Sequence, residues 1–225
     1  RELTALSDLS DETARAKKAL DAATAAATGA AAALTATRRA AAERLVPLVS
    51  GELAFLDMEK VRFLTDIRPA ALSATGADAV EFLISTNPGE EPKPIAKIAS
   101  GGELARIMLA LKSVFADSFG VQTVIYDEID AGVSGKTARK IGIKLKTSAR
   151  GTQTICVTHS AQIASLADRQ LLIEKQVIDG RTETRVSAIT GDDRVREIAR
   201  ILGGVTVSET MRSSARELID EGKKY

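Results

Sequence analysis

Three short segments of the sequence combine residue types that could bind a phosphate group and activate water. The first, Ser100-Gly101-Gly102-Glu103, lies where a helical pattern begins. Serine can cap a helix N-terminus, and glycine lets the backbone approach a ligand closely. The free N–H groups and the dipole of such a helix attract an anion such as phosphate. Because a Ser-Gly-Gly turn before a helix is also a common loop, this segment needs support from the others.

The second segment is a pair of carboxylates, Asp127 and Glu128, directly after the apolar run 121–126. In an open parallel sheet, ligands bind beyond the carboxyl ends of the strands. One carboxylate at such a position can hold Mg²⁺, directly or through water, while its neighbour orients and activates a water molecule. The alternative is a solvated acidic turn with no chemical role.

The third segment ends in His159, the one histidine of the sequence, which closes the apolar run 154–157. A lone histidine is more often structural than catalytic. Its position at the carboxyl end of a second predicted strand, beside the same edge as the acidic pair, favours a functional role.

The segment Gly135-Lys136-Thr137 resembles the end of a phosphate-binding P-loop but does not complete one. The full motif requires a glycine five residues before Gly135, and that residue is Asp130. We interpret 130–135 as a loop that leads into the next helix. No other segment of this sequence supplies a P-loop, so the chain is expected to lack the usual nucleotide cradle.

The elements that must position these segments alternate between helix and strand. Apolar periodicity predicts strands over 61–67, 79–85, 121–126, 154–157, 170–173 and 185–189, and helices over 103–116, 134–148, 194–202 and 208–220. Residues 86–97 contain three prolines and predict an exposed loop. Strands separated by helices predict a largely parallel sheet with covered faces.

Residues 1–56 have a different pattern, which predicts a coiled-coil arm ahead of a lobe over 57–225. A series at seven-residue intervals consists of Leu6, Thr13, Leu20, Ala27, Leu34, Ala41 and Leu48, and alanines occupy many of the other seam positions. A heptad pattern over more than four repeats is typical of a coiled coil, whose partner helix would lie outside this sequence. The alternative is one long surface helix on a globular domain.

Composition bounds the function only loosely. The 225 residues carry 31 basic and 30 acidic side chains, for a net charge of +1, which neither supports nor excludes nucleic-acid binding. With one cysteine, Cys156, no internal disulfide can form, which agrees with a reducing cytosol. No apolar run approaches the roughly 18 residues that a membrane helix needs. Because the sequence begins with Arg1 rather than methionine, we expect a fragment or a trimmed product.

Four segments agree in order and spacing with one family: 82–90, 97–106, 127–135 and 157–164. Ser-Gly-Gly-Glu is followed by a strand ending in Asp-Glu, a glycine-containing loop with Asp130, and a strand ending in histidine. The order and the residues of these motifs resemble the RecN family of SMC-like ABC ATPases, over nearly the whole chain. Ala99 stands where many ABC proteins have leucine, a departure that weakens the resemblance to transporter subunits.

The resemblance implies the fold and the partners. The chain would be α/β, the C-terminal lobe of an ABC-type ATPase head, with a mainly parallel sheet flanked by helices and preceded by a long coiled-coil helix. An N-terminal lobe would carry the P-loop, and a second copy of the protein would form a homodimer. DNA would be a further partner, no membrane is expected, and the protein would be cytoplasmic and associated with the nucleoid.

The resemblance also implies roles for the nucleotide-binding residues. Ser100, Gly101 and Gly102 would contact the γ-phosphate of ATP that is bound on a partner head, and Glu103 would belong to the same cofactor-binding segment. Asp130 would lie in the loop at the interface between two heads, which is called the D-loop in this family.

The implied catalytic residues are the acidic pair and the histidine. Asp127 would be the Walker B carboxylate that serves Mg²⁺, and Glu128 would polarise the attacking water. His159 would be the switch histidine near the γ-phosphate. The isolated chain, which lacks a P-loop, is expected to be inactive.

The function implied is ATP hydrolysis in DNA double-strand-break repair and recombination, with ATP binding pairing the heads and hydrolysis releasing them. Two alternatives remain open on the residues. A transporter ATPase subunit would share the motifs but not the heptad arm. A non-catalytic structural or DNA-tethering fragment would account for the missing P-loop.

Overall fold

The structure, a computed structural model, describes residues 2–98, 100–115, 120–178, 181–204 and 206–225, with side chains described from residue 10 onwards. Ala99 and Ala116, which fall within segments discussed above, lie outside the described residues. The described residues group into two compact units. The first consists of the chain up to Leu48 together with Arg62–Ile95, and the second of Val49–Val61 together with Ala96–Tyr225. The predicted boundary at residue 56 stays a prediction.

Most of the first part of the chain is one helix, α1 (Glu2–Phe55), which continues through Pro47. Its high alanine content favours a helix, and the long helix predicted for this segment is confirmed. Leu20, Leu34 and Leu48 of the heptad series are exposed, at 65%, 37% and 58% of their surface. An exposed apolar stripe agrees with a seam for a partner helix, and the coiled coil itself stays a prediction.

A hairpin completes the first unit. Strand β1 (Arg62–Ser73) pairs antiparallel with β2 (Gly76–Ser85), and β3 (Lys93–Pro94) pairs with the end of β2. The strands are longer than predicted, and β1 continues past Pro69. Proline is tolerated there because β1 is an edge strand, and the register shifts between Pro69 and Ser73.

The end of this hairpin is attached to α1 within the same unit. Asp78 accepts hydrogen bonds from the Thr35 hydroxyl and from Arg38, whose guanidinium lies 3.2 Å from the carboxylate. Gly76 has a φ of 101°, and a Cβ at this residue would lie 3.0 Å from Leu34. The tight turn and the close approach to α1 both require glycine at this position.

The second unit contains the parallel strands. Strand β4 (Thr123–Tyr126) pairs in parallel with β5 (Gln153–Cys156), and helix α3 (Gly135–Ser148) connects them. Strands β6 (Gln170–Ile178) and β7 (Arg181–Ile189) form an antiparallel pair. The predicted α/β class with a long helix is confirmed. The prediction of a mainly parallel sheet is wrong, since in the described residues β4 and β5 form the one parallel pair.

The error in strand direction has a simple physical reason. A parallel connection requires a crossover of a dozen or more residues, usually a helix. Two residues separate β6 from β7 in the sequence, so these strands can pair only as the arms of a hairpin. The apolar pattern predicts both strands correctly, but the prediction assigned them to one sheet with β4 and β5.

Helices cover the remainder of the second unit. They are α2 (Gly101–Val114), the short α4 (Ala161–Ala164), α5 (Gly191–Gly203) and α6 (Glu209–Gly222). Ala161 and Ala164 form a buried cluster with Ile198, Ala199 and Ala215 from the last two helices. The final turns of α1 are also buried in this unit, through Val49 and Leu53. In the part of the chain that the structure describes, no helix is both long and apolar enough to cross a membrane.

Candidate functional site

The parallel strands bring two of the predicted segments to the same edge. Tyr126 and Cys156 are register partners at the ends of β4 and β5, and the Val157 N–H donates to the Tyr126 carbonyl at 2.9 Å. The chain then leaves β4 through Asp127 and Glu128 and leaves β5 through Thr158 and His159. Because the two strands are parallel, both segments lie beyond the carboxyl edge of the pair.

Asp130 joins these two segments directly. Its carboxylate is 3% exposed, and one oxygen, Oδ2, accepts hydrogen bonds from the Thr158 hydroxyl and from the His159 backbone N–H at 3.1 Å. The same oxygen lies 3.5 Å from Nδ1 of the His159 imidazole, whose side chain is 84% exposed. The carboxylate therefore accepts hydrogen bonds from residues of its own chain. The predicted position of Asp130 at an interface between two heads stays a prediction.

The acidic pair is exposed and lies in a strained turn. Glu128 has a φ of 55°, a left-handed conformation that non-glycine residues rarely adopt. The turn is held by two hydrogen bonds: the Glu128 N–H donates to Asp127 Oδ1 at 2.9 Å, and the Ala131 N–H donates to the Glu128 carbonyl at 3.0 Å. Backbone strain of this kind typically costs about 1–3 kcal/mol and clusters at functional sites.

The Ser-Gly-Gly turn begins α2 as predicted, two residues earlier than the predicted helix. Ser100 is the N-cap, and its hydroxyl oxygen accepts the Glu103 N–H at 3.4 Å. Ser100 and Gly101 are exposed, whereas Gly102 is buried. The start of the helix therefore presents a capped, accessible N-terminus, the arrangement that favours an anion.

Both glycines permit close contact between this turn and the acidic loop. A Cβ on Gly101 would lie 2.8 Å from the Glu128 carboxylate oxygen Oε2. A Cβ on Gly102 would lie 3.1 Å from both the Glu128 carbonyl oxygen and the Ala131 Cβ. The first two predicted segments are therefore in contact within one chain, with a carboxylate beside the positive end of the α2 dipole.

Arg106 is a residue of this site that sequence reasoning missed. It is 8% exposed, and its Nη1 donates to the carbonyls of Ile129 at 3.2 Å and Ala131 at 3.1 Å. Burial lowers the pKa of the Arg106 guanidinium from its ordinary value. The available signal was its spacing, because Arg106 lies four residues after Gly102 and so shares the helix face that contacts the loop.

The interpretation of Gly135-Lys136-Thr137 as the start of a helix is confirmed. Ser134 is the N-cap of α3 and its hydroxyl oxygen accepts the Thr137 N–H at 3.4 Å, while Lys136 is exposed in the first turn. The segment therefore continues the acidic loop into α3.

The donor set at this edge fits a magnesium–nucleotide complex. Among the described residues, no group of three or more histidine, cysteine, aspartate or glutamate side chains is placed to hold a metal ion. Mg²⁺ commonly keeps several waters and binds one or two carboxylates together with substrate phosphates. The exposed Asp127 could supply such a carboxylate, and the Ser100 turn could receive a phosphate.

Three relatives of known name match most of the chain. DNA repair protein RecN of Halalkalibacterium halodurans is 43% identical over 194 residues, which are 84% of this chain and 34% of that protein. RecN of Bacillus subtilis is 38% identical over 221 residues, 91% of this chain and 38% of that protein. RecN of Haemophilus influenzae is 40% identical over 221 residues, 97% of this chain and 40% of that protein. The chain belongs to the RecN family.

The chain matches only part of each of these RecN proteins. This RecN-family chain spans between 34% and 40% of the length of these three relatives. Models of protein families give no match to it.

Two solved structures are similar at lower levels. The Smc head domain with a coiled coil and joint from Pyrococcus yayanosii has a TM-score of 0.49 and 20% identity. The match covers 80% of this chain and 29% of that one. A structure from work on ATP-driven dimerization and DNA-stimulated activation of SMC ATPases has a TM-score of 0.47 and 19% identity. The match covers 76% of this chain and 99% of that one. The family assignment rests on the RecN sequences.

Proposed function

We propose that this chain is the C-terminal lobe of an SMC-like ATPase head that acts in DNA double-strand-break repair and recombination. One observation carries the proposal. The glycine-lined start of α2, the acidic pair and the loop before His159 meet at one carboxyl edge of the parallel strands. Two of the relatives, at 38% and 43% identity, are named DNA repair proteins, which supports a role in repair.

Each residue of the site has a role in phosphoryl transfer to water. ATP with Mg²⁺ would supply the reactive γ-phosphate and neutralise charge on it. Asp127 provides a carboxylate for the cation, and Glu128 orients the attacking water and accepts its proton. His159, exposed at the same edge, would donate a hydrogen bond to the phosphate, and the buried Asp130 fixes the backbone that carries it.

The remaining nucleotide contacts would come from two other bodies. An N-terminal lobe would supply the P-loop, and a second head would present its Ser100, Gly101 and Gly102 to the γ-phosphate, with Glu103 in the same cofactor-binding segment. Binding of ATP would pair the heads, and hydrolysis would release them. Asp130 lies in the loop that the family uses at this interface.

The exposed face of the parallel pair supports a missing lobe. Ile125 and Ile155 are register partners on one face, and they are 67% and 42% exposed. Val157, just beyond β5, is 48% exposed. Parallel strands are normally covered on both faces, so an apolar pair left open favours a further element packed on this sheet.

A cytoplasmic, nucleoid-associated location and binding to DNA belong to the same proposal and follow from the resemblance to the RecN family. The alternative of a non-catalytic tethering fragment is favoured by the missing P-loop. Binding of radiolabelled ATP to the 225-residue chain tests this alternative. Tight, Mg²⁺-dependent binding would count against a tether.

The direct test of catalysis is Glu128→Gln in the complete protein that contains this chain. We expect ATP turnover to fall by at least about 100-fold, because the amide cannot accept the proton of the attacking water. ATP-dependent pairing of the heads, followed by light scattering, should persist. The matched control is Glu183→Gln, an exposed carboxylate on β7, which should keep full turnover. Unchanged turnover in Glu128→Gln would reject the assignment of Glu128.

A further inference from the structure

We propose that Arg106 couples the two ATP sites of a head pair, by linking the helix that serves the partner's site to the loop that serves its own. This inference rests on the proposed function. It adds a positioning residue that makes the binding of ATP at the two sites cooperative. The contacts that carry it all lie within the second unit.

The first link is the helix itself. Ser100, at the start of α2, is the residue offered to the nucleotide on the partner head. Arg106 follows on the same continuous helix, on the face that carries the buried Gly102. A hydrogen-bonded helix moves as a rigid element, so displacement of the Ser100 turn is carried to the guanidinium of Arg106.

The second link is the pair of hydrogen bonds from Arg106. The carbonyls that accept them belong to Ile129 and Ala131, the two residues on either side of Asp130. Ile129 is fully buried and Arg106 is 8% exposed, so water does not readily replace the bond between them, whereas Ala131 is exposed. Breaking these hydrogen bonds would leave the buried guanidinium of Arg106 and the buried Ile129 carbonyl without partners, which makes the connection stiff.

The third link runs from Asp130 to the chain's own site. Its carboxylate holds the Thr158 hydroxyl and the His159 N–H, and the loop it belongs to begins at Glu128. A shift of the loop therefore moves both Glu128 and the backbone of His159. The path from Ser100 to His159 is continuous, and it crosses from helix to loop through the two hydrogen bonds of Arg106.

The two-fold arrangement turns this path into communication between sites. In an isologous pair, each chain gives its Ser100 turn to one site and its Glu128 and His159 to the other. Occupation of the first site, which pulls on the Ser100 turn, thus reaches the catalytic residues of the second through Arg106. Binding of ATP at the two sites should then be positively coupled.

The experiment measures ATP turnover of the complete protein against ATP concentration, with Arg106→Gln as the test variant. We expect a Hill coefficient well above 1 in the wild type and a fall to about 1 in Arg106→Gln. Arg106→Lys, which keeps the charge but reaches the two carbonyls less well, should lie between them and provides a second variant if Arg106→Gln does not fold.

The matched control is Arg194→Gln. Arg194 is also a partly buried guanidinium that donates to backbone carbonyls, those of Ala164, Ser165 and Ala167, but it does not touch the acidic loop. Its substitution should lower thermal stability and keep the wild-type Hill coefficient.

The outcomes are distinct. A wild-type Hill coefficient of 1, or an unchanged coefficient in Arg106→Gln and Arg106→Lys, would overturn the role of Arg106 while leaving the ATPase proposal intact. A complete protein with neither ATP turnover nor ATP-dependent pairing would overturn the proposed function, and the coupling with it.

Discussion

The buried carboxylate of Asp130 accepts the backbone N–H of His159 at 3.1 Å and lies 3.5 Å from its imidazole Nδ1. One acidic side chain thereby fixes the start of the loop after β5 to the loop after β4. The imidazole itself remains exposed, so it can reach a ligand while its backbone is held.

Removal of this carboxylate should destabilise the fold. In Asp130→Ala the Thr158 hydroxyl and the His159 N–H lose their acceptor, and we expect the free energy of unfolding to fall by about 1–3 kcal/mol. Urea unfolding of the chain measures the change. Asp193→Ala is the control, because that carboxylate is 66% exposed and pairs only with Arg196 among the described contacts. Equal, small effects of both substitutions would contradict the structural role of Asp130.

Alanine at Gly101 should separate activity from stability. The Cβ would displace the end of the flexible Glu128 side chain, so we expect turnover of the complete protein to fall while the unfolding midpoint of the chain changes little. Gly102→Ala should instead destabilise the chain, because its Cβ meets the backbone oxygen of Glu128 and the Ala131 Cβ. Full turnover in Gly101→Ala would mean that the position of the Glu128 carboxylate does not matter.

Cys156 should be chemically inert despite the absence of a disulfide partner. Burial, with smaller contributions from the nearby Asp130 and Asp127 charges, raises its pKa to about 12. The thiolate is the reactive form, so alkylation by iodoacetamide at pH 8 should be at least about 100-fold slower than in the urea-unfolded chain. Similar rates in the folded and unfolded chains would show that the thiol is not held in this environment.

The end of α1 should contribute a pH-dependent increment of stability through Asp57. Hydrogen bonds from Lys140 and then Thr137 hold the pKa of Asp57 below its ordinary value. A carboxyl group whose pKa is lower in the folded chain stabilises the fold at pH values above its unfolded pKa. That stabilisation is lost as the pH falls through the folded pKa.

The corresponding variant is Asp57→Asn, which retains a residue suited to the positive φ of 58° at this position. Because the carboxylate is one-third exposed, the loss of unfolding free energy at pH 7 should be below about 1 kcal/mol. The difference from the wild type should shrink as the pH falls below 3.8, the ordinary pKa, and vanish below the lowered pKa of the folded chain, where both chains lack the charge. A difference that persists in acid would point to packing rather than charge.

Much of the site was predictable because its parts are local patterns. Ser100 caps the helix it was expected to cap, and the acidic pair and His159 follow strands that the apolar runs located. Strand direction was less accessible, since alternation of helix and strand does not reveal that β6 and β7 are joined by two residues and pair with each other.

The connections between the parts could not be predicted from local patterns. Arg106 and Ile129 are 23 residues apart in sequence, and Asp130 and His159 are 29 apart. Such contacts depend on how α2 packs against the loop after β4. The left-handed backbone at Glu128 also carries no sequence signal, because glutamate is an unfavourable residue for that conformation.

The most direct test asks whether the Ser100 turn serves the nucleotide of a partner head. Ser100→Arg, combined with Glu128→Gln so that paired heads accumulate, is compared with Ser208→Arg, which alters the equivalent cap of α6. ATP affinity of unpaired heads and ATP-dependent pairing of the complete protein are measured together. We predict that Ser100→Arg abolishes pairing and leaves the ATP affinity of unpaired heads unchanged, whereas Ser208→Arg keeps both. Pairing that survives Ser100→Arg, or a loss of ATP affinity in unpaired heads, would contradict a site shared between two heads.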